Sequence, residues 1–174
     1  WLNLVTDTTL VTMLSFEKRE KNLLRQNYKK PSRFIVDFDM LSRMFMVALI
    51  MAAGTLYLFA MNMGSDMVKA WTIALTTLTV FQWYNVFNVR SETKTVFSRE
   101  SFENKYLLWG LVSAVLLHLI AVYTPFMNNI LTLTPLNLAE WGIILVVCLP
   151  IVLIEELRKY FIRKNSASPI LAKF

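Results

Sequence analysis

Four side chains in this sequence combine residue types and spacing that suit a hard cation. Asn3, Thr6 and Asp7 stand at i, i+3 and i+4 in Trp1-Leu-Asn-Leu-Val-Thr-Asp7, a spacing that puts all three on one face of a helix. An amide oxygen, a hydroxyl and a carboxylate are hard oxygen donors, of the kind that bind Ca2+, Mg2+, Mn2+ or Na+. Ca2+ takes roughly six to eight such ligands, so other helices must complete any site built on these three. Gln82 is the fourth candidate, followed by Asn85 and Asn88 in Phe81-Gln-Trp-Tyr-Asn-Val-Phe-Asn-Val-Arg90. It lies deepest in its apolar stretch and could face the first group. Asn88 falls near the stretch's end, where bonding to backbone or headgroups is expected. The plainer alternative for Asn3 and Asp7 is a helix cap or a polar helix start.

The remaining polar residues offer less. One histidine, His118, and one cysteine, Cys148, exclude an internal disulfide and a Cys- or His-rich metal cluster. His118 sits in the middle of an apolar run with Ser113 nearby; a proton relay is conceivable, but a neutral imidazole bonded to a neighbouring helix is the expectation. Cys148 reads as a small core residue. Glu140 precedes an apolar run, where a carboxylate suits the positive end of a helix. Glu155 and Glu156 stand three and four residues before Arg158 and Lys159, which predicts surface pairing where a helix leaves the membrane.

The elements that position these groups follow from composition. Of 174 residues, 56% are hydrophobic and 17% charged, whereas soluble domains carry about 25% charged residues. A water-soluble domain of this size could not hide so much apolar surface, so the expected solvent is lipid. Apolar stretches over residues 41–63, 71–89, 106–123 and 138–154 each approach the roughly 20 helical residues that cross a bilayer. Residues 1–16 resemble the tail of a fifth helix. Period-two alternation is absent, so strands are not expected. The predicted fold is all-α, a polytopic transmembrane bundle of four full spans plus the end of a fifth. Ala48, Ala52 and Thr55 share a helical spacing that would let a neighbouring helix approach closely, and Pro150 is expected to kink the last span.

Charge sets the topology. Seventeen of the eighteen Lys and Arg fall between residues 17 and 43, between 90 and 105, or after 156; Lys69 is the exception. These are alternate connections, hence one face, which the positive-inside rule assigns to the cytoplasm. The formal charge of +6 is therefore a topology signal with anionic lipid as a secondary partner, and nucleic acid is not an expected partner. Trp71, Tyr106, Trp109, Tyr123 and Trp141 fall near span ends, where amphipathic rings favour the headgroup layer. The domain reading is residues 1–16 as a helix end with candidate ligands, 17–40 as a cytoplasmic basic loop, 41–157 as the bundle and 158–174 as a cytoplasmic basic tail. The chain opens at Trp1 without a methionine and without a signal-peptide pattern, so a fragment or processed product is expected.

At this point the motifs carry a resemblance. Asn3-Leu-Val-Thr-Asp7, followed by Glu17, Glu20, Leu23, Leu24 and a basic stretch, resembles the sixth transmembrane helix and following loop of P-type cation-transporting ATPases, in the calcium-pump-like branch. Phe87-Asn-Val-Arg-Ser91 resembles the end of that family's eighth helix. Residues 97–109 and Glu155-Glu-Leu-Arg-Lys159 resemble its ninth and tenth. The resemblance implies that Asn3 and Asp7, with Thr6, bind the transported cation, with Ca2+ foremost and Mn2+, Mg2+, Na+ or H+ as alternatives. It implies further ligands from fourth and fifth helices outside this chain. Gln82 matches a position where two-ion calcium pumps carry glutamate, which implies a single ion.

The family's Asp-Lys-Thr-Gly phosphorylation motif does not occur in these residues. ATP hydrolysis, with Mg2+ and ATP as cofactors, would belong to a parent protein whose remaining helices and cytoplasmic domains are the implied partners. The implied location is an integral, multi-pass protein of the plasma membrane. A rival of another class is a non-catalytic membrane scaffold, in which Asn3 and Asp7 only cap a helix.

Overall fold

Long runs of Leu, Met, Ala, Val and Phe with few Gly or Pro wind into helices because each backbone group then bonds within its own segment, as hydrocarbon requires. The computed structural model describes residues 1–3, 8–16, 38–64, 66–90, 95–96 and 104–166. Among them are seven α-helices: α1 (Thr8–Leu14), α2 (Phe38–Asn62), α3 (Met67–Asn88), α4 (Lys105–Tyr123), α5 (Pro125–Leu131), α6 (Leu138–Cys148) and α7 (Pro150–Ser166). No described residue lies in a strand. The all-α membrane bundle expected from the sequence is the fold.

Three segments have both the length and the apolarity to cross a bilayer: Met40–Asn62, Lys105–Tyr123 and Leu138–Lys164. The 22 residues of α3 have the length as well, but its threonines, Gln82, Asn85 and Asn88 dilute its apolar content. Such a helix is costly in lipid, and the fold puts it inside. Thr72, Thr76, Thr77, Thr79, Val80 and Phe81 are all buried, with α2, α6 and α7 packed around them. By contrast α2 turns Phe45, Leu49, Leu56 and Met61 outward, with Phe45 71% exposed. An apolar surface that extensive is foreign to a soluble monomer and ordinary against lipid.

The α2–α3 contact forms where a side chain is missing. A Cβ on Gly54 would lie 2.7 Å from the Phe81 ring, so the hydrogen there lets Phe81 bury completely. Val47, Ile50, Met51 and Leu58 flank this contact. The close approach expected from Ala48, Ala52 and Thr55 takes a different course, because Ala48 and Ala52 are exposed and only Thr55 is buried. The packed face is turned from that stripe toward Gly54, whose missing side chain permits a nearer neighbour than alanine does.

The last span is divided at Leu149. Pro150 has no amide to donate, and Leu149 N bonds Val146 O at 3.2 Å, one residue short of the α-helical partner. Backbone angles at Leu149 stay helical (φ −56, ψ −37), so the chain continues into α7 with only its hydrogen-bond ladder interrupted there. At the opposite end from the basic loops, Asn137 and Glu140 form a reciprocal cap at the start of α6, and Glu140 pairs with Lys69 at 2.5 Å. Residues 124–137, expected as a loop, contain the short helix α5, closed by Thr132 in the left-handed region (φ 52).

The contact of α1 with α4 is tight. A Cβ on Gly110 would meet Met13 Cγ at 2.5 Å and Cβ at 2.9 Å, and Phe16 lies 5.4 Å from the Tyr106 ring. We expect Gly110→Val to destabilise the protein by about 1–3 kcal/mol through overpacking. Gly142→Ala, with open space around it, should be neutral or gain roughly 0.5–1 kcal/mol of helix propensity. Thermal unfolding in detergent reads both; equal midpoints for the two variants would contradict this packing.

Candidate cation site and a buried charge cluster

Of the four candidate ligands, Asn3 and Gln82 fall among the described residues; Thr6 and Asp7 lie outside them. Asn3 is exposed, and its backbone carbonyl accepts a 2.7 Å bond from Thr8 Oγ1 at the start of α1. Gln82 is half-buried on α3, as is Asn85. Among the described residues no three His, Cys, Asp or Glu side chains come together as a metal site.

The mid-span residues have packing partners. His118 is fully buried, and its Nε2 lies 3.1 Å from Thr76 Oγ1 on α3. Trp83 and Trp141 present their rings edge-on to the imidazole at 5.8 and 6.2 Å. The expected bond of this histidine to a neighbouring helix is present. Ser113, expected near it, is exposed. Cys148 is buried, its thiol 3.6 Å from Thr77 O. Higher up, Trp141 Nε1 donates to Tyr123 Oη at 2.9 Å, which donates to Leu136 O at 2.7 Å.

The most charged feature sits where α3 ends. The last carbonyls of a helix lack internal partners and carry its negative partial charge. Asn88 O accepts 3.0 Å bonds from both Arg43 on α2 and Lys159 on α7, while Asn88 Nδ2 donates to Ile151 O at 3.2 Å. Arg158 meets Glu155 through two bonds of 3.0 and 2.7 Å, and Arg43 pairs with the same carboxylate at 2.8 Å. Glu156 lies 4.0 Å from Lys159 and accepts from Val96 N at 2.7 Å.

Glu155 and Lys159 are 0% and 1% exposed, so the expected surface pairing is corrected. Both face α3, and the pairing motif is the inner wall of an interface. Among the described side chains three cations oppose two carboxylates, and the excess positive charge falls on the negative end of α3. The expectation that Asn88 bonds backbone is met by Ile151 O.

A family profile described as "Cation transporting ATPase, C-terminus" matches residues 1–161. The chain belongs to that family. Over 99% of its length this cation-ATPase C-terminal domain is 24% identical to the endoplasmic reticulum calcium ATPase srcA of Aspergillus fumigatus, covering 21% of that protein. It is 24% identical to calcium-transporting ATPase 1 of Saccharomyces cerevisiae over 95% of its length, covering 18% of the relative. It is 28% identical to a calcium-transporting ATPase of Bacillus subtilis over 83%, covering 16%. The chain thus spans about a fifth of the length of these relatives.

Sequence reasoning missed the joining of Arg43 and Asn88 to Glu155. The sequence held no clear signal for it, because Asp39, four places before Arg43, offers a local i, i+4 partner. Removing one member of a buried pair leaves the other charge uncompensated, at a cost of about 3–5 kcal/mol. We therefore expect Glu155→Ala to lower stability by that order, measured by unfolding in detergent. Glu155→Asp should lose less. A change under about 1 kcal/mol for Glu155→Ala, the scale of exposed pairs, would show that the cluster is not clamped.

Proposed function

We propose that this domain supplies part of the transported-ion site of an ATP-driven pump whose cargo is Ca2+, together with the helices that support its transport core. The observation that carries this is the family match beginning at residue 1, which encloses Asn3, Thr6 and Asp7. Support for Ca2+ comes from the three relatives just described, each named a calcium ATPase or calcium-transporting ATPase, and from the hard oxygen chemistry of the amide, hydroxyl and carboxylate. In this proposal Asp7 contributes the charge, Asn3 and Thr6 contribute neutral oxygens, and Gln82 adds an amide oxygen from α3. A single ion is carried per cycle.

The remaining ligands, ATP and Mg2+ are handled by other parts of the same pump. Phosphorylation there tilts helices, so that the site around Asn3 and Asp7 opens to one face and then the other. The basic loops and tail lie in the cytoplasm and the pump resides in the plasma membrane, although the Aspergillus relative's name places that protein in the endoplasmic reticulum.

In the complete protein, Asp7→Asn should raise the Ca2+ concentration needed for phosphorylation by about tenfold or more, which requires only ~1.4 kcal/mol of lost ligation. An unchanged Ca2+ dependence would remove Asp7 from the ligand set. For topology, Lys29→Cys should react with a membrane-impermeant maleimide only after sealed cells are opened. Labelling of intact cells at that position would invert the orientation.

A further inference from the structure

The segment that carries Asn3, Thr6 and Asp7 leads directly into α1, and the Thr8 hydroxyl ties Asn3 O to the first residue of that helix at 2.7 Å. The seven residues of α1 draw their hold from tertiary packing, as short helices do, and among the described residues they pack chiefly against α4. Leu107, Gly110, Ala114 and His118 belong to the buried face of α4, at i, i+3, i+7 and i+11. Its small members, Gly110 and Ala114, let a neighbouring backbone come close. The approach is closest at Gly110. A Cβ there would lie 3.7 Å from the Thr9 carbonyl oxygen, besides overlapping Met13 at 2.5 and 2.9 Å. Thr9 is two residues from Asp7. The notch therefore receives one turn of α1, Thr9 to Met13, that begins beside the candidate ligands.

We propose that Gly110 is a positioning residue of the transported-ion site. Its missing side chain seats α1, and α1 in turn sets where the oxygens of Asn3 and Asp7 stand relative to ligands from other helices. The inference rests on the reading that these residues bind Ca2+. Ca2+ holds its oxygens at about 2.3–2.6 Å, so a helix pushed aside by the width of a methyl group carries its ligands out of range. Such a residue governs the affinity for the ion and leaves the capacity for phosphorylation alone.

The test uses the complete protein. Gly110→Ala should raise the Ca2+ concentration for half-maximal phosphorylation by ATP about tenfold, the scale on which small misplacements act. Phosphorylation by inorganic phosphate without Ca2+ should keep its wild-type level. Gly142→Ala, the same exchange in open space on α6, should change neither. Moving the notch to the other helix, in Gly110→Ala combined with Met13→Gly, should return the Ca2+ dependence to within about threefold of wild type, because residues in contact are coupled. A wild-type Ca2+ dependence in Gly110→Ala, beside the shift expected of Asp7→Asn, would overturn this inference and leave the site reading standing. An unchanged dependence in Asp7→Asn would remove that reading and this inference with it. Should Gly110→Ala fail to fold, the comparison passes to Met13→Gly and the double variant. The added methyl fills part of the void that Met13→Gly leaves, so the double variant should need less Ca2+, and equal values would overturn the inference.

Discussion

A carboxylate enclosed by protein within a membrane has no water to solvate it, and Glu155 can stay ionised only where cations are brought to it. Arg158 comes from its own helix and Arg43 from α2. Arg43 in turn reaches Asn88 O at the end of α3, where Lys159 also lands. Three helices therefore share one electrostatic knot, and none can slide along its axis by a residue without stranding a charge. The apolar contact of Gly54 with Phe81 fixes how closely α2 and α3 approach. The charges fix the register at which they do so.

The opposite end is held by weaker means. There Lys69, the lone basic residue away from the basic loops, is matched by Glu140, which also completes the cap of α6. Thr72 Oγ1 receives Thr134 N at 3.0 Å, and the Tyr123 hydroxyl ties α4 to the segment before α6. Neutral hydrogen bonds of this kind contribute about 1 kcal/mol each, so this end closes through several small contacts. The charge asymmetry along the sequence reappears as an asymmetry in how the two ends are joined.

Much of this was legible from the residues alone. Spans were written in the length of the apolar runs. The interruption at Pro150 and the acidic start of α6 followed from local chemistry. What escaped depended on distant partners. An i, i+3 Glu–Arg pair looks the same in a sequence whether it faces water or α3, and only the position of Arg43 against α7 distinguishes the two. The small residues of α2 misled for a related reason: Ala48 and Ala52 share a stripe, but packing followed Gly54, whose opening accepts a whole aromatic ring. For the cation ligands, type and spacing were readable at Asn3, Thr6 and Asp7, while the oxygens needed to complete a shell belong to helices that sequence spacing cannot place.

The Arg43–Glu155 pair also carries a consequence for biosynthesis. Synthesis reaches Arg43 on α2 well before the Glu155 carboxylate that neutralises it. Until then the long side chain can reach toward lipid phosphates at the interface. Only when α7 arrives can the pair form. Truncation before Glu155 would leave Arg43 with the Asn88 carbonyl but without the carboxylate that neutralises it.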